Sequence, residues 1–245
     1  MRVAITVSIG ALCALFATSA SARPGNFPRG TVDQTYTAKK PNKPTGASFT
    51  GSYHAPGDPK ANPPYMRKMV FYPPRGWRYD TSVPDRCTAS DLEIELSGPS
   101  ACPKSSRLGG GTTDGIIFEP VANAFEFTTY TNAFDIFNNA GEQVMVVQAG
   151  GFGYVVVRGR IGPDQSVTYE SPTCFPAPPA GQRCARDYVL QLKSHSSMPA
   201  YTKGSRSYAR TPPTCPRRRF WRTRIKFWWA DGSIDTAATD QPCRR

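Results

Sequence analysis

The sequence predicts a mainly β protein: an antiparallel β-sandwich or jelly roll with one short helix and disulfide-stapled loops. Short runs of β-branched and aromatic residues alternate with Gly, Pro, Asn and Asp, which is typical of strands joined by turns. No helical periodicity alternates with these runs, which argues against a parallel α/β sheet. With 245 residues, the chain is long enough for one large β domain.

The first 22 residues predict a secretory signal peptide and therefore export. Arg2 precedes an apolar run that ends near residue 17, and Ala20-Ser21-Ala22 supplies a small-x-small cleavage pattern. The run is shorter than the ~20 apolar residues of a membrane span. We expect cleavage after Ala22, a secreted or extracytoplasmic location and no transmembrane span. An uncleaved anchor is the alternative.

Residues 23–46 are predicted to form a disordered basic linker, and residues 47–245 a single β-sandwich-like domain. The linker is rich in Pro, Gly, Thr and Lys and has few apolar side chains. It therefore buries too little surface to offset the entropy cost of ordering. No internal repeat divides the rest of the chain, and we expect the domain to be a monomer.

Strands are expected where apolar and β-branched residues run between turn residues. They are residues 48–54, 65–72, 125–130, 134–137, 143–148, 154–160, 166–170, 188–193 and 220–229. A turn at residues 73–76 follows the second of these runs. Residues 109–113, which begin with three glycines, are interpreted as a flexible loop.

The short helix is expected between Ser90 and Gly98. Ser90 and Glu93 have the spacing of a capping box, and Gly98 followed by proline is a natural stop. The alternative is a strand, because acidic and apolar residues alternate over residues 91–96. In both cases three acids are expected to face solvent: Asp91, Glu93 and Glu95.

Six cysteines remain once the leader with Cys13 is removed, and an even number in an exported chain predicts disulfides. The sequence leaves the pairing open, and pairing of neighbours is the interpretation we prefer. It gives Cys87–Cys102, Cys174–Cys184 and Cys215–Cys243. A zinc site is the alternative, but C-x-x-C spacing is absent and both histidines lie far away in sequence. We expect no metal and no cofactor.

Two cysteine regions and the C-terminal part carry a family resemblance. The sequence reads DTSVPDRC at residues 80–87 and ACPKSSRLG at residues 101–109. It ends with Thr214-Cys215-Pro216, a tryptophan-containing strand, Ala230-Asp231-Gly232 and Pro242-Cys243. Over residues 47–245 the chain resembles a group of uncharacterised secreted proteins of high-GC Gram-positive bacteria. The resemblance implies export and a β fold, carries no known activity, and does not extend to the loop closed by Cys174 and Cys184.

The residues that could support catalysis are few. A serine hydrolase needs a histidine beside a serine and an acid, and the chain offers only His54 and His195, with no Gly-x-Ser-x-Gly elbow. Glycoside hydrolysis needs two carboxylates across a cleft, but the acids of the central part are scattered: Glu119, Glu126 and Asp135. We assign no catalytic residue. A secreted hydrolase with an active site assembled from distant residues is the alternative function.

The C-terminal part carries the candidate binding residues. Residues 193–245 hold twelve basic and three acidic side chains in a chain of net charge +12, and a basic surface attracts polyanions. In the strand at residues 220–229, alternation places one set of side chains outward. We call this set the basic-aromatic stripe: Phe220, Arg222, Arg224, Lys226 and Trp228. Its cations could pair with phosphate, carboxylate or sulfate while its rings stack on a sugar or base.

The sequence thus favours an exported, non-catalytic cell-envelope or extracellular module with a binding or structural role. The expected partner is an anionic cell-wall polymer, a glycan or another polyanion, contacted through the basic-aromatic stripe. Two other interpretations stay open. In the first, the stripe is the basic outer face of an ordinary amphipathic strand and binds nothing. In the second, the protein is an inhibitor or toxin-like effector that exposes the Cys174–Cys184 loop.

Overall fold

In the computed structural model, which describes residues 21–121, 124–149, 153–171 and 189–244, the chain folds mainly into strands. The first eight are β1 (Gly25–Phe27), β2 (Gly30–Tyr36), β3 (Ala47–Tyr53), β4 (Met66–Tyr72), β5 (Arg78–Tyr79), β6 (Arg107–Val121), β7 (Ala124–Asn139) and β8 (Glu142–Gln148). The others are β9 (Tyr154–Ile161), β10 (Val167–Glu170), β11 (Val189–Met198), β12 (Thr202–Lys203), β13 (Arg206–Ser207), β14 (Ala209–Arg210), β15 (Phe220–Trp229) and β16 (Ile234–Pro242). One helix, α1 (Asp91–Ser97), is followed by short 3₁₀ turns at Gly98–Ala101 and Lys104–Ser106.

Twelve strands form one antiparallel sheet. Their order is β1-β2-β3-β11-β6-β7-β8-β9-β10-β4-β15-β16. Successive hairpins build the run from β6 to β10, whereas β11 lies between β3 and β6, and β4 lies between β10 and β15. Two small ribbons, β12 with β13 and β5 with β14, lie outside this sheet.

The two edges of the sheet meet. The backbone N–H of Arg23 donates to the carbonyl of Asp240 at 2.9 Å, and the N–H of Asp240 donates back at 3.0 Å. Because Arg23 precedes β1 and Asp240 lies in β16, this bridge joins the first strand to the last. The prediction of a mainly antiparallel β fold with one short helix is confirmed. In the described residues, however, one curled, nearly closed sheet stands in place of the two packed sheets of a sandwich.

The prediction of a disordered linker at residues 23–46 is wrong. β2 pairs with β3 along its whole length, and β1 pairs with β2. Val32, Gln34 and Tyr36 alternate along β2 and are buried. Composition misleads here because a single strand needs few apolar residues of its own. Its backbone hydrogen bonds and the core of its neighbours supply the rest.

The interior of the curled sheet is filled unevenly. Beneath β2, β3 and β15, aromatic rings pack closely, with the ring centroids of Phe27 and Phe227 4.8 Å apart and those of Tyr53 and Trp229 6.3 Å apart. A second cluster contains Trp77, which is buried against Tyr36. The interior also contains a cavity of about 220 Å³.

The helix α1 covers the outer face of the sheet. Ile94 is fully buried there against Phe137, Val144 and Val146 of β7 and β8. The helical prediction is confirmed over the strand alternative, because the Ser90 capping box forms and the helix ends at Gly98. Gly98 has φ of 63°, and a Cβ there would lie 2.3 Å from the ring of Tyr154, so only glycine fits.

Two of the three preferred disulfides are confirmed. Cys87 is bonded to Cys102 beside α1, and Cys215 is bonded to Cys243, which ties the loop before β15 to the end of the last strand. Cys174 and Cys184 lie outside the described residues, and so do residues 1–20, which hold most of the predicted signal peptide.

The interpretation of residues 109–113 as a flexible loop is wrong, because they lie within β6. A Cβ at Gly109 would lie 2.1 Å from the carbonyl oxygen of Ser197, and one at Gly111 would lie 1.9 Å from that of His195. These glycines therefore allow β11 to approach β6 closely, as glycine often does inside a strand.

Candidate anion-binding surface

Strand β15 has the two faces that its alternation predicts. Trp221, Ile225 and Phe227 are buried in the interior, whereas Arg222 and Arg224 are exposed on the outer face. Lys226 and Trp228 share that outer face and are half-buried. The basic-aromatic stripe is therefore a continuous row on the outside of the sheet, between β4 and β16.

Arg222 is tied to an acid that sequence reasoning did not connect with it. Its Nε and Nη2 donate to the two carboxylate oxygens of Asp240 at 2.8 and 2.7 Å, a bidentate pair. The register of β15 and β16 places these residues opposite each other. The hydrogen bonds from Arg222 hold the pKa of the Asp240 carboxyl below its usual value. Much of the Arg222 charge is thus neutralised within the protein.

The two aromatic residues of the stripe lie against cations of the protein. The ammonium of Lys68 is 4.3 Å from the ring centroid of Trp228, and that of Lys226 is 5.3 Å from it. The guanidinium of Arg23 lies 5.1 Å from the ring centroid of Phe220. Cation–π contacts of this kind hold the long basic side chains against the sheet.

A surface depression of about 370 Å³ adjoins the stripe. Four arginines line it, together with Tyr72, Pro73 and one acid: Arg75, Arg218, Arg222, Arg224 and Asp164. In the parts of the chain that the structure describes, no carboxylate lies within 4.0 Å of a basic nitrogen of Arg75, Arg218 or Arg224. Four guanidinium groups against Asp164 and Asp240 leave an excess of positive charge that suits a phosphate, sulfate or carboxylate.

Sequence reasoning missed Arg75 and Asp164. Arg75 belongs to the turn predicted after the second strand, and Asp164 to a turn between β9 and β10. Neither turn carries a signal that places it beside β15. That proximity follows from the pairing of β4 with both β10 and β15, which joins parts of the chain that are far apart in sequence.

The two histidines contact groups other than a serine–acid pair. The Nδ1 of His195 lies 3.2 Å from Thr50 Oγ1 on the neighbouring strand, and the Nδ1 of His54 lies 2.7 Å from the carbonyl oxygen of Ala55. Among the central acids, Asp135 accepts from Arg107 Nε at 2.7 Å. The side chains of Glu119 and Glu126 are not among those described.

The residues that the structure describes contain no group of three or more His, Cys, Asp or Glu side chains arranged to hold a metal ion. Nor do they include a helix with the length and apolar character needed to cross a membrane. Comparison of the chain with protein-family models, with curated proteins and with solved structures finds no match.

Proposed function

We propose that this protein is an exported, non-catalytic binding module that holds an anionic polymer of the cell envelope or its surroundings on the basic-aromatic stripe. The observation that carries this proposal is the group of four arginines around one depression beside β15. Guanidinium groups bind phosphate, sulfate and carboxylate through paired hydrogen bonds.

The length of the stripe supports a polymer rather than a single small anion. Arg222 and Lys226 are four residues apart on one strand, which spans about 13 Å. Lys68 of the neighbouring strand β4 and Arg23, which precedes β1 and bridges to β16, widen the row. A ligand with several anionic groups along its length can contact these cations together, whereas one phosphate reaches only part of them.

Two disulfides support a location outside the reducing cytoplasm, because such bonds form and persist in oxidising compartments. The signal sequence at residues 1–22 supplies the export route in this proposal. A chain recovered from the medium of an exporting host is expected to begin at Arg23, which intact-mass measurement tests.

Heparin-affinity chromatography of that secreted chain tests binding. We expect the triple substitution Arg218→Gln, Arg224→Gln and Lys226→Gln to lower the salt concentration of elution markedly, because it removes contacts that release counterions. Arg222 is kept, since its loss would leave the nearly buried Asp240 carboxylate without its partner.

The matched control removes the same charge elsewhere, by Lys60→Gln, Arg86→Gln and Lys104→Gln in other exposed loops. It is expected to elute close to the unmodified protein, and both triple variants should keep its melting temperature. Equal shifts for the two triples would mean that net charge alone causes retention, and that result would overturn the proposal.

A further inference from the structure

The cavity inside the curled sheet is a second candidate binding site, independent of the basic-aromatic stripe. It has a volume of about 220 Å³ and is lined by inward-facing side chains of β2, β3, β4, β6 to β11 and β15. Most of its wall is apolar, including Met69, Phe71, Met145, Val147 and Val157.

The burial pattern of β8 shows that this space is a feature of the fold. Val144 and Val146 point outward and are fully buried under α1. Met145 and Val147 point inward and are only half-buried. Interior apolar residues are ordinarily the more tightly packed ones, since protein cores are close-packed. The inner face of β8 therefore borders room for another molecule.

The wall also carries polar side chains, and three of them are adjacent. Asn132, Thr113 and Ser194 lie side by side on β7, β6 and β11, as the register of these strands dictates. Two of them have partners: Thr113 Oγ1 donates to the carbonyl of Lys193 at 3.0 Å, and Ser194 Oγ lies 3.2 Å from the hydroxyl of Tyr53.

Asn132 differs from its neighbours. It is 5% exposed, lines the cavity, and its Oδ1 has no hydrogen-bond partner among the residues that the structure describes. A buried acceptor without a donor costs about 1–3 kcal/mol. A ligand with a hydrogen-bond donor that reaches Asn132 would remove that cost. The site would therefore bind such a ligand more tightly than an analogue of the same shape without the donor.

The volume limits the size of the ligand. A cavity of about 150 Å³ accommodates benzene, so about 220 Å³ corresponds to roughly nine non-hydrogen atoms. We propose that the cavity binds a compact, apolar molecule of this size whose single hydrogen-bond donor reaches Asn132. Sugars do not suit such a site, because the largely apolar wall would leave most of their hydroxyl groups unpaired.

Indole and benzofuran form a matched pair of probes, because they have the same size and shape but only indole carries an N–H donor. Calorimetric titration of the mature chain is expected to show indole binding about tenfold more tightly than benzofuran. The substitution Asn132→Leu should abolish this preference. The control Thr131→Val, one residue away on the outer face, should preserve it.

A second variant locates the site without relying on Asn132. Val157→Phe replaces a small aliphatic side chain of the cavity wall with an aromatic ring. It is expected to weaken the binding of both probes at least about tenfold, while heparin retention stays unchanged. Equal affinities for the two probes, no binding of either, or unaltered binding in Val157→Phe would each overturn the proposal. If the unmodified chain binds indole as expected but does not bind heparin, the result would count against the stripe and not against the cavity.

Discussion

Arg29 is a charged residue that is buried in the protein and paired with two carboxylates. Its Nη1 donates to Asp235 Oδ2 at 3.0 Å and its Nη2 to Asp231 Oδ2 at 2.9 Å. The side chains of Arg29 and Asp235 are 10% and 8% exposed. The indole N–H of Trp229 also donates to Asp235 Oδ2, at 3.0 Å, so one carboxylate joins the first loop to the last two strands.

The substitution Arg29→Met should lower the free energy of unfolding by about 3 kcal/mol, because it leaves the buried Asp235 carboxylate without its cation. Asp231→Asn is the control: Asp231 is 45% exposed, and its pair should contribute at most about 1 kcal/mol. Urea denaturation measures both values. A loss for Arg29→Met no larger than for Asp231→Asn would contradict this account of Arg29.

At the scale of the element, a capping box formed by Ser90 and Glu93 stabilises the N-terminus of α1. The N–H of Glu93 donates to Ser90 Oγ at 3.3 Å, and the N–H of Ser90 donates to Glu93 Oε2 at 2.7 Å. The backbone hydrogen bond from Ser90 holds the pKa of Glu93 below its usual value. With a folded pKa below the unfolded one, the stabilisation is present above the ordinary glutamate pKa, roughly 4.3. It is lost as the pH falls through the folded value.

Glu93→Ala should therefore lower the urea midpoint at pH 7, and its difference from the unmodified protein should shrink as the pH falls below about 4. Glu95→Ala, in the same helix and outside the cap, is the control and should show a smaller difference at pH 7. A difference for Glu93→Ala that stays constant with pH would show that the ionised carboxylate has no role in the cap.

The elements also show what the sequence could predict. The cap of α1, the stop at Gly98 and the two faces of β15 follow from local spacing, and all three are as expected. The partner of Arg222 does not follow from spacing, since the register of β16 against β15 selects Asp240. The inner cavity was equally hidden, because a period-two pattern gives the direction of a side chain and not what lies opposite it.

For the whole molecule, the expected sandwich and the observed curled sheet share one sequence signature. Both need strands with one inward and one outward face, and they differ only in which distant strands pair. Here β16 meets the segment before β1, and β2 supplies Val32 and Tyr36 to the core. Composition alone predicts a linker at residues 23–46, which include β1 and β2.

Deletion of residues 23–36 tests the importance of this closure. It removes the edge partner of β3 and the bridge to Asp240, and exposes the inner aromatic rings to solvent. We expect loss of the cooperative thermal transition in circular dichroism. An unchanged transition would show that these residues are dispensable for folding, as a linker would be.

The bridge between Arg23 and Asp240 has a consequence for how the protein is made. A chain emerges N-terminus first, from the ribosome or through an export channel, so β1 and Arg29 appear early and their partners are synthesised last. Arg29 and Asp235 are separated by 206 residues. The sheet therefore cannot close until almost the entire chain has emerged. Until then, one edge of its first strands has no hydrogen-bonding partner.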